Sequence, residues 1–266
     1  MPVLPRITII TPSYNQGAYI EQTISSVLDQ DYPDLEYIVM DGGSTDQTLE
    51  LLRKYESRLI WVSEPDRGQS HAINKGMARA TGEVIGYLNS DDQLMPGALL
   101  KVGGFFQDHP EAFWITGKCR TVNDANQDIR KPITLYKNFW LSTRSSAPLS
   151  VLNYIYQPAT FWRKGAVEQV GYFDESRYYA MDYDYWLRLR KHFRLWFLDD
   201  NLACFRVHAT SKGVTSAPAH FEDDLAVARA HITSRPLLKL HQIHNVLIVS
   251  VYRLLSTKLQ RGAASR

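Results

Sequence analysis

The stretch GEVIGYLNSDD, residues 82–92, is an apolar run that ends in two adjacent carboxylates, Asp91 and Asp92. The run predicts a buried strand, and Pro96 favours the start of a helix shortly after it. Ligands of an open α/β sheet bind at the carboxyl ends of the strands, so the acidic pair indicates a binding site there. A divalent cation held together with phosphate oxygens would relieve the repulsion between the two acids. The alternative is a helix N-terminus, where Ser90, Asp91 or Asp92 caps free amide groups.

Composition narrows the class of protein. The chain has 266 residues and a formal net charge of +2. This length suffices for one large α/β domain with a smaller appended part, and so small a charge does not suggest nucleic acid as a partner. Cys119 and Cys204 lack metal-ligand spacing, and the first residues, MPVLPRIT, lack the apolar segment of a secretory signal. We therefore expect a cytoplasmic location.

Strand and helix patterns alternate along the first half of the chain. Strands are predicted over residues 6–11, 35–40, 59–63 and 83–88, and helices over residues 18–29, 45–55 and 69–80. This alternation predicts a mostly parallel sheet flanked by helices. Polar clusters follow three of the strands, at residues 11–15, 41–46 and 90–92. Because the carboxyl ends of parallel strands meet at one edge, these clusters are expected to converge on one crevice.

The second half is less regular. Further strands are predicted over residues 112–116, 160–163, 195–198 and 202–207, and helices over residues 98–106 and 166–170 and from residue 180. Residues 130–156 suit a loop or short helices, which would form either an acceptor wall or a plain connection.

Five segments together resemble the family 2 glycosyltransferases, inverting enzymes with the GT-A (Rossmann-like) fold. They are TPSYN (residues 11–15), DGGSTD (41–46), EPDRGQSHAINKG (64–76), the stretch 82–92 and MDYDYWLRL (181–189). No G-x-G-x-x-G follows the first strand and no G-x-x-x-x-G-K-[ST] occurs, which removes support for other nucleotide-binding folds. The resemblance implies an enzyme that uses a nucleoside-diphosphate sugar.

The resemblance also implies which residues bind the donor. It places the nucleotide base near TPSYN and the first acid of DGGSTD, and a basic side chain close to the nucleotide. The residues concerned are Thr11, Ser13, Tyr14, Asp41 and Arg67. A carboxylate can accept the imide N–H of uracil, and thymine would fit equally well, so the donor is expected to be UDP- or dTDP-linked.

The motif SDD matches a variant of the acidic motif of the family. By resemblance, Ser90 and Asp91 lie on the donor side near the ribose, Asp92 binds the metal, and His208 reaches the metal or the diphosphate. Hard oxygen ligands imply Mg²⁺ or Mn²⁺, with no choice between the two.

The catalytic base of the family follows a Glu at the start of a helix. This chain has Met181 in place of that Glu, followed by Asp182. An inverting transfer needs one carboxylate to take the acceptor proton, and we expect Asp182 in that role with Asp184 in reserve. The alternative is that both acids complement a helix N-terminus.

We expect a catalytic domain over residues 1–219, with a nucleotide-binding half up to about residue 95 and an acceptor half beyond it. Residues 220–266 are expected to form a helical extension. Residues 246–255 are apolar but far short of the roughly 20 residues that span a bilayer. The chain has no Asp or Glu from Leu225 onward. The extension therefore suits an anionic membrane surface, packing on the catalytic domain, or a homodimer contact.

These expectations add up to an inverting, metal-dependent glycosyltransferase. The acceptor is expected to be a hydroxyl of a glycan or lipid-linked substrate in bacterial-type surface polysaccharide synthesis. One alternative is a nucleotide-sugar-binding protein that has lost turnover, because the Glu before Asp182 is missing. Another is a sugar nucleotidyltransferase, which would ordinarily show a basic, glycine-rich loop after the first strand, whereas TPSYNQG has no Arg or Lys.

Overall fold

A computed structural model describes residues 4–211 and 217–263, with the backbone alone for residues 217–218 and 252–263. The strands are β1 (Ile7–Ser13), β2 (Leu35–Asp41), β3 (Ile60–Ser63), β4 (Val84–Tyr87), β5 (Gln93–Leu94), β6 (Trp114–Val122), β7 (Thr160–Arg163) and β8 (Leu195–Arg206). The α-helices are α1 (Ile20–Leu28), α2 (Thr48–Lys54), α3 (Gln69–Arg79), α4 (Ala98–Asp108), α5 (Lys131–Ser142), α6 (Ala166–Val170), α7 (Met181–His192), α8 (Ala217–His231) and α9 (Arg235–Ala263). Short 3₁₀ helices lie at Ala147–Ser150 and Gln157–Ala159.

The strands form one sheet in the order β3-β2-β1-β4-β7-β6-β8-β5. The first four strands in this order are parallel, and β6 also pairs in parallel with β8. Strand β7 is antiparallel to both of its neighbours, and β5 is antiparallel to β8. The expected class, a mostly parallel α/β sheet flanked by helices with further helices at the C-terminus, is confirmed, and β7 makes the sheet a mixed one.

The parallel half of the sheet brings three polar strand ends together. Strand β1 is buried along its whole length, as expected for a central strand with both faces covered. Its last residue, Ser13, lies beside Asp41 of β2, which in turn lies beside Ser63 of β3. Strand β4 pairs with the other side of β1 and delivers the acidic motif to the same edge. The predicted convergence of strand-end clusters is therefore confirmed.

Two parts of the second half differ from the sequence prediction. Residues 131–142, expected as a loop or short helices, form the regular helix α5. Its apolar residues lie on two sides of the helix, since Ile133 and Leu141 are buried and Leu135 and Phe139 are exposed. The sequence therefore shows no single apolar stripe from which the helix could be predicted. The two strands predicted over residues 195–198 and 202–207 are one strand, β8, because β6 pairs along its length across a local register shift.

The C-terminal extension packs on helix α7. His241 of α9 is fully buried, its Nε2 lies 2.7 Å from Asp224 of α8, and its ring stacks on Tyr183 of α7. One of the three predicted roles of the extension, packing on the catalytic domain, thus applies to the inner face of α9. Across residues 4–211 and 217–263, no helix has both the length and the apolar character that crossing a bilayer requires.

Candidate active site

Asp41 lies at the centre of the strand-end row and is completely buried. Its Oδ1 accepts a hydrogen bond from the Ser44 hydroxyl at 2.5 Å, and its Oδ2 accepts one from the Ser63 hydroxyl at 2.6 Å. The backbone N–H groups of Gly43 and Ser44 also donate to Oδ2. The carboxylate therefore organises the loop after β2, and its contact with a nucleotide base stays a prediction.

The TPSYN segment divides between the sheet interior and the surface. Thr11 is fully buried, and its hydroxyl lies 3.1 Å from the Tyr37 hydroxyl, so it faces the core. Ser13 lies next to Asp41 across the β1–β2 pair. Its hydroxyl oxygen is buried and has no hydrogen-bond partner within the described chain. Tyr14 is 60% exposed. Ser13 and Tyr14 thus have polar or aromatic groups available at this edge, whereas Thr11 does not.

Arg67 lies in the loop before α3 and holds two loops together. Its guanidinium Nη2 lies 2.6 Å from Glu175 Oε2, although the Arg67 side chain is mostly exposed. Glu175 also accepts a hydrogen bond from Asn74, and the pKa of its carboxyl is held below the ordinary value because these hydrogen bonds outweigh its partial burial. Arg67 is therefore paired with an acid, and its contact with the nucleotide stays a prediction.

The two acids of the SDD motif face different surroundings. Asp92 is completely buried, its Oδ1 accepts the backbone N–H of Arg206 at 2.9 Å, and its Oδ2 lies 3.3 Å from Asn89 Nδ2. Burial, and next the charge of Asp91, raise the pKa of Asp92 well above the ordinary value. Asp91 is partly exposed, and its Oδ2 lies 3.0 Å from His208 Nε2. The structure thus pairs Asp91 with His208, and the metal contact predicted for Asp92 stays a prediction.

His208 is itself held by several neighbours. Its Nδ1 lies 2.9 Å from the Thr210 hydroxyl, and its backbone N–H donates to the Ser211 hydroxyl at 2.9 Å. The imidazole stacks on Tyr19 with ring centroids 4.4 Å apart. These contacts orient Nε2 towards Asp91. Ser90, the first residue of the motif, is buried and lies beside this pair in the chain.

Asp182 and Asp184 occupy the first turn of α7 in contrasting ways. Asp182 is partly exposed, and burial raises the pKa of its carboxyl while the charges of His220 and Lys137 oppose that shift. Asp184 is buried between Arg188 Nε at 2.9 Å and His231 Nε2 at 2.7 Å. Burial of Asp184 acts to raise its pKa, but the hydrogen bond from His231 and the charge of Arg188 together hold it below the ordinary value. Asp184 thus joins α7 to α8, whereas Asp182 is partly exposed and its Oδ1 accepts the backbone N–H of Tyr183 at 2.6 Å.

Asp182 and Asp92 both lie within electrostatic reach of the Tyr87 phenol. Both Asp182 and Asp92 contribute to raising the pKa of the Tyr87 phenol, whose own burial is the main cause. Tyr87 ends β4, so the carboxylate on α7 faces the same strand end as the motif. This is the same edge that carries Ser13 and Asp41.

Residues 8–171 match the family model described as Glycosyl transferase family 2, and this segment is more than half of the chain. The chain belongs to this family. The predicted family resemblance is therefore confirmed.

Among the relatives of this family 2 chain is a Bacillus subtilis (strain 168) protein named as a teichuronic acid biosynthesis glycosyltransferase, TuaG. It is 39% identical over 125 residues, which cover 45% of this chain and 49% of that protein. The matched segment is thus about half of that relative's length.

Two solved structures resemble the described fold. S. aureus TarS 1–349 in complex with UDP-GlcNAc has a TM-score of 0.67 at 21% identity, covering 86% of this chain and 67% of TarS 1–349. The mannosyltransferase PcManGT from Pyrobaculum calidifontis in complex with GDP-Man and Mn²⁺ has a TM-score of 0.69 at 20% identity, covering 98% of this chain and 80% of PcManGT. At this level of identity the likeness establishes the GT-A fold.

The Asp91 and His208 side chains fit a divalent cation of the kind used by GT-A enzymes. A carboxylate oxygen and an imidazole nitrogen converge 3.0 Å apart. The carboxylate is a ligand that Mn²⁺ or Mg²⁺ prefers, whereas the imidazole suits a first-row transition metal better than Mg²⁺. Within residues 4–211 and 217–263 there is no group of three or more His, Cys, Asp or Glu side chains that could hold a metal by themselves. The remaining ligands would be water and the phosphate oxygens of a donor.

Sequence reasoning missed three residues that support this family 2 site. Arg206 is almost completely buried, and its guanidinium donates to the Asp91 carbonyl and to Gln22 Oε1. Asn89 accepts a hydrogen bond from Gln69 and donates to Gln157 Oε1. Residues two positions apart on an extended strand lie on the same face, so the spacing between Arg206 and the predicted site residue His208 could have indicated Arg206 from the sequence. No such signal pointed to Asn89.

The third missed residue is Lys137 of α5. Its Nζ donates to the Ile155 carbonyl at 3.0 Å and lies 4.1 Å from the centroid of the Tyr156 ring. Burial lowers its pKa to about 8, and the charge of Asp182 acts in the opposite direction. The segment predicted as an acceptor wall or a plain connection therefore brings a cation towards Asp182.

Proposed function

We propose that this chain is an inverting glycosyltransferase that moves a sugar from a UDP- or dTDP-linked donor to a hydroxyl of a glycan or lipid-linked acceptor. The observation that carries the proposal is the pairing of Asp91 with His208 at the sheet edge that Asp182 also faces. The relative named for teichuronic acid biosynthesis supports a role in surface polysaccharide synthesis. The complexes of TarS with UDP-GlcNAc and of PcManGT with GDP-Man support a nucleoside-diphosphate sugar as the donor. The proposed uracil or thymine base rests on Asp41, whose carboxylate can accept an imide N–H.

In the proposed reaction, the acceptor hydroxyl oxygen attacks the anomeric carbon of the donor sugar. The bond between that carbon and the diphosphate oxygen breaks, and the configuration at the carbon inverts. Asp182 takes the hydroxyl proton, and its raised pKa makes it a stronger base than an ordinary carboxylate. His220, the backbone N–H of Tyr183 and Lys137 act in the opposite direction to burial and limit the rise of this pKa.

Asp91 and His208 are the proposed holders of Mn²⁺ or Mg²⁺, with Asp92 supporting them from the interior. When bound, the cation would offset the negative charge of the departing diphosphate. Ser13, Tyr14 and Asp41 are the proposed contacts of the nucleotide base. Residues 1–219 are the proposed catalytic domain, and the proposed setting is the cytoplasm at the inner face of the plasma membrane.

The proposal is tested by incubating the purified chain with a panel of nucleotide sugars and Mn²⁺ and measuring release of nucleoside diphosphate. We expect one or a few UDP- or dTDP-sugars to be turned over and Asp182→Asn to lose about 10²- to 10⁴-fold in rate. Asp31→Asn, an exposed acid remote from α7 in the chain, serves as the matched control and should keep the wild-type rate.

A nucleotide-sugar-binding protein without turnover is the second candidate. Met181 stands where the family usually has Glu, and its sulfur accepts a hydrogen bond from the Ser70 hydroxyl at 2.8 Å. A donor that raises the melting temperature but yields no nucleoside diphosphate with any acceptor would favour this candidate.

A further inference from the structure

Helix α9 presents an apolar stripe to the outside. Leu240, Ile243, Leu247 and Val251 follow helical spacing on one face, and they are between 39% and 61% exposed. The neighbouring face, about 100° round the helix from Leu240, carries the buried His241, which anchors the helix on α8. The inner contacts of α9 therefore do not cover this stripe.

Helix α5 adds a second apolar patch beside the first. Leu135 and Phe139, one turn apart, are 70% and 60% exposed. Tyr136 of the same helix stacks on His244 of α9, with ring centroids 6.0 Å apart and an interplanar angle of 17°. The two helices are therefore neighbours. We define the α5–α9 surface as the six residues Leu135, Phe139, Leu240, Ile243, Leu247 and Val251.

The two segments that contain α5 and α9 carry charges of one sign. Residues 129–167 and 225–266, which contain α5 and α9, have no Asp or Glu at all. Exposed basic residues flank the apolar side chains, among them Lys131 and Arg144 at the ends of α5 and Lys239 in α9. An apolar face rimmed by cations matches the interfacial region of an anionic bilayer.

The same charge pattern argues against a second copy of the chain as the occupant. A two-fold dimer through this surface would place like charges opposite one another, because each partner would supply the same acid-free patch. Because no helix among the described residues meets the requirements for crossing a bilayer, α9 would lie in the plane of the interface.

We propose that the α5–α9 surface docks on an anionic lipid bilayer. The part of this proposal that concerns the acceptor rests on the proposed function, because it takes Asp182 as the catalytic base. Helix α5 also carries Lys137, and the charges of Lys137 and Asp182 act on one another. Leu135 and Lys137 are two positions apart, which places them on nearly opposite sides of the helix. Docking through the outer side of α5 would hold the catalytic carboxylate close to the membrane, where the head group of a lipid-linked acceptor lies.

The test uses the full chain and co-sedimentation with phosphatidylglycerol or phosphatidylcholine vesicles. Two double variants each replace two apolar residues of the α5–α9 surface by Glu, one variant in each helix: Leu135→Glu/Phe139→Glu in α5 and Ile243→Glu/Leu247→Glu in α9. The control, Thr233→Glu/Gln242→Glu, adds the same charge at exposed positions off the stripe. We expect wild type to prefer phosphatidylglycerol, and each surface variant to bind about 100-fold more weakly, at roughly tenfold per apolar side chain kept out of the interface. The control should lose much less.

Three results would overturn the proposal: no binding of wild type to phosphatidylglycerol vesicles, equal loss in the control, or light scattering that shows a wild-type dimer dissociating in the surface variants. Nucleoside diphosphate release from the donor is measured in parallel. Surface variants that keep this release but lose vesicle binding support the membrane proposal. Vesicle binding by a wild-type chain that turns over no donor would support docking and count against the proposed function alone.

Discussion

The SDD motif allows a sharp test because its adjacent acids have opposite surroundings. Asp91 faces His208 and is partly exposed, whereas Asp92 is buried against the backbone N–H of Arg206. From sequence alone, Asp92 was the expected metal ligand. That expectation stays a prediction, and because Asp91 contacts His208 we propose Asp91 for the role instead. Three substitutions should separate turnover from stability: Asp91→Asn, Asp92→Ala and Asp92→Asn.

The expected magnitudes follow from these contacts. Asp92→Ala leaves the buried Arg206 N–H unpaired, which costs about 1–3 kcal/mol of unfolding free energy. For a chain of this size, that cost corresponds to a fall in melting temperature of roughly 3–10 °C. Asp92→Asn keeps an acceptor oxygen for Arg206 and removes a buried charge, so its melting temperature should stay within about 2 °C of wild type.

Asp91→Asn should show the opposite pattern. It removes a partly exposed carboxylate that contacts His208, so the melting temperature should change by less than about 2 °C. The rate of nucleoside diphosphate release with Mn²⁺ should fall by about 10²-fold or more, because a proposed metal ligand is lost. The assays are thermal unfolding followed by circular dichroism and release of nucleoside diphosphate at saturating donor.

One pattern of results would refute this reasoning. If Asp92→Asn were inactive at wild-type stability while Asp91→Asn stayed active, Asp92 would be the metal-facing acid that the sequence motif first indicated. A fall in melting temperature for Asp91→Asn as large as that for Asp92→Ala would likewise contradict the description of Asp91 as partly exposed and Asp92 as buried.

Two further predictions concern stability. Asp184 has its pKa lowered, so its ionisation stabilises the fold above the ordinary value of 3.8 and ceases to do so as the pH falls through the lowered pKa. Asp184→Asn should therefore cost about 2–4 kcal/mol near neutral pH and progressively less in acid, as measured by urea unfolding across a pH series; a constant difference down to low pH would contradict this. At Gly82, an added Cβ would lie 2.7 Å from the Thr8 backbone nitrogen and 3.0 Å from the Arg6 carbonyl oxygen. Gly82→Ala should cost about 2–3 kcal/mol, whereas the control Gly104→Ala, in open space on α4, should be neutral or stabilising by up to about 1 kcal/mol. Equal effects of the two glycine substitutions would refute the steric argument.

The sequence by itself determined the parallel half of the sheet and the family. Strands β1, β2, β3 and β4 are short apolar runs, and turn-forming clusters at their ends mark where they stop. These signals are local, so they can be interpreted without knowing which residues are neighbours in the folded chain. The gathering of Ser13, Asp41 and the acidic motif followed from the rule that parallel strand ends share an edge.

Only the tertiary structure decided the surroundings of each acid. Asp91 and Asp92 are adjacent in the chain, and their difference arises from Arg206 and His208, which lie 114 and 117 residues away. Asp184 is held by His231, 47 residues away. Helix α5 has apolar residues on two sides: Ile133 and Leu141 are buried in the core, and Leu135 and Phe139 are exposed. Side-chain direction in a turn and the burial of a charge depend on such distant partners, and no local pattern encodes them.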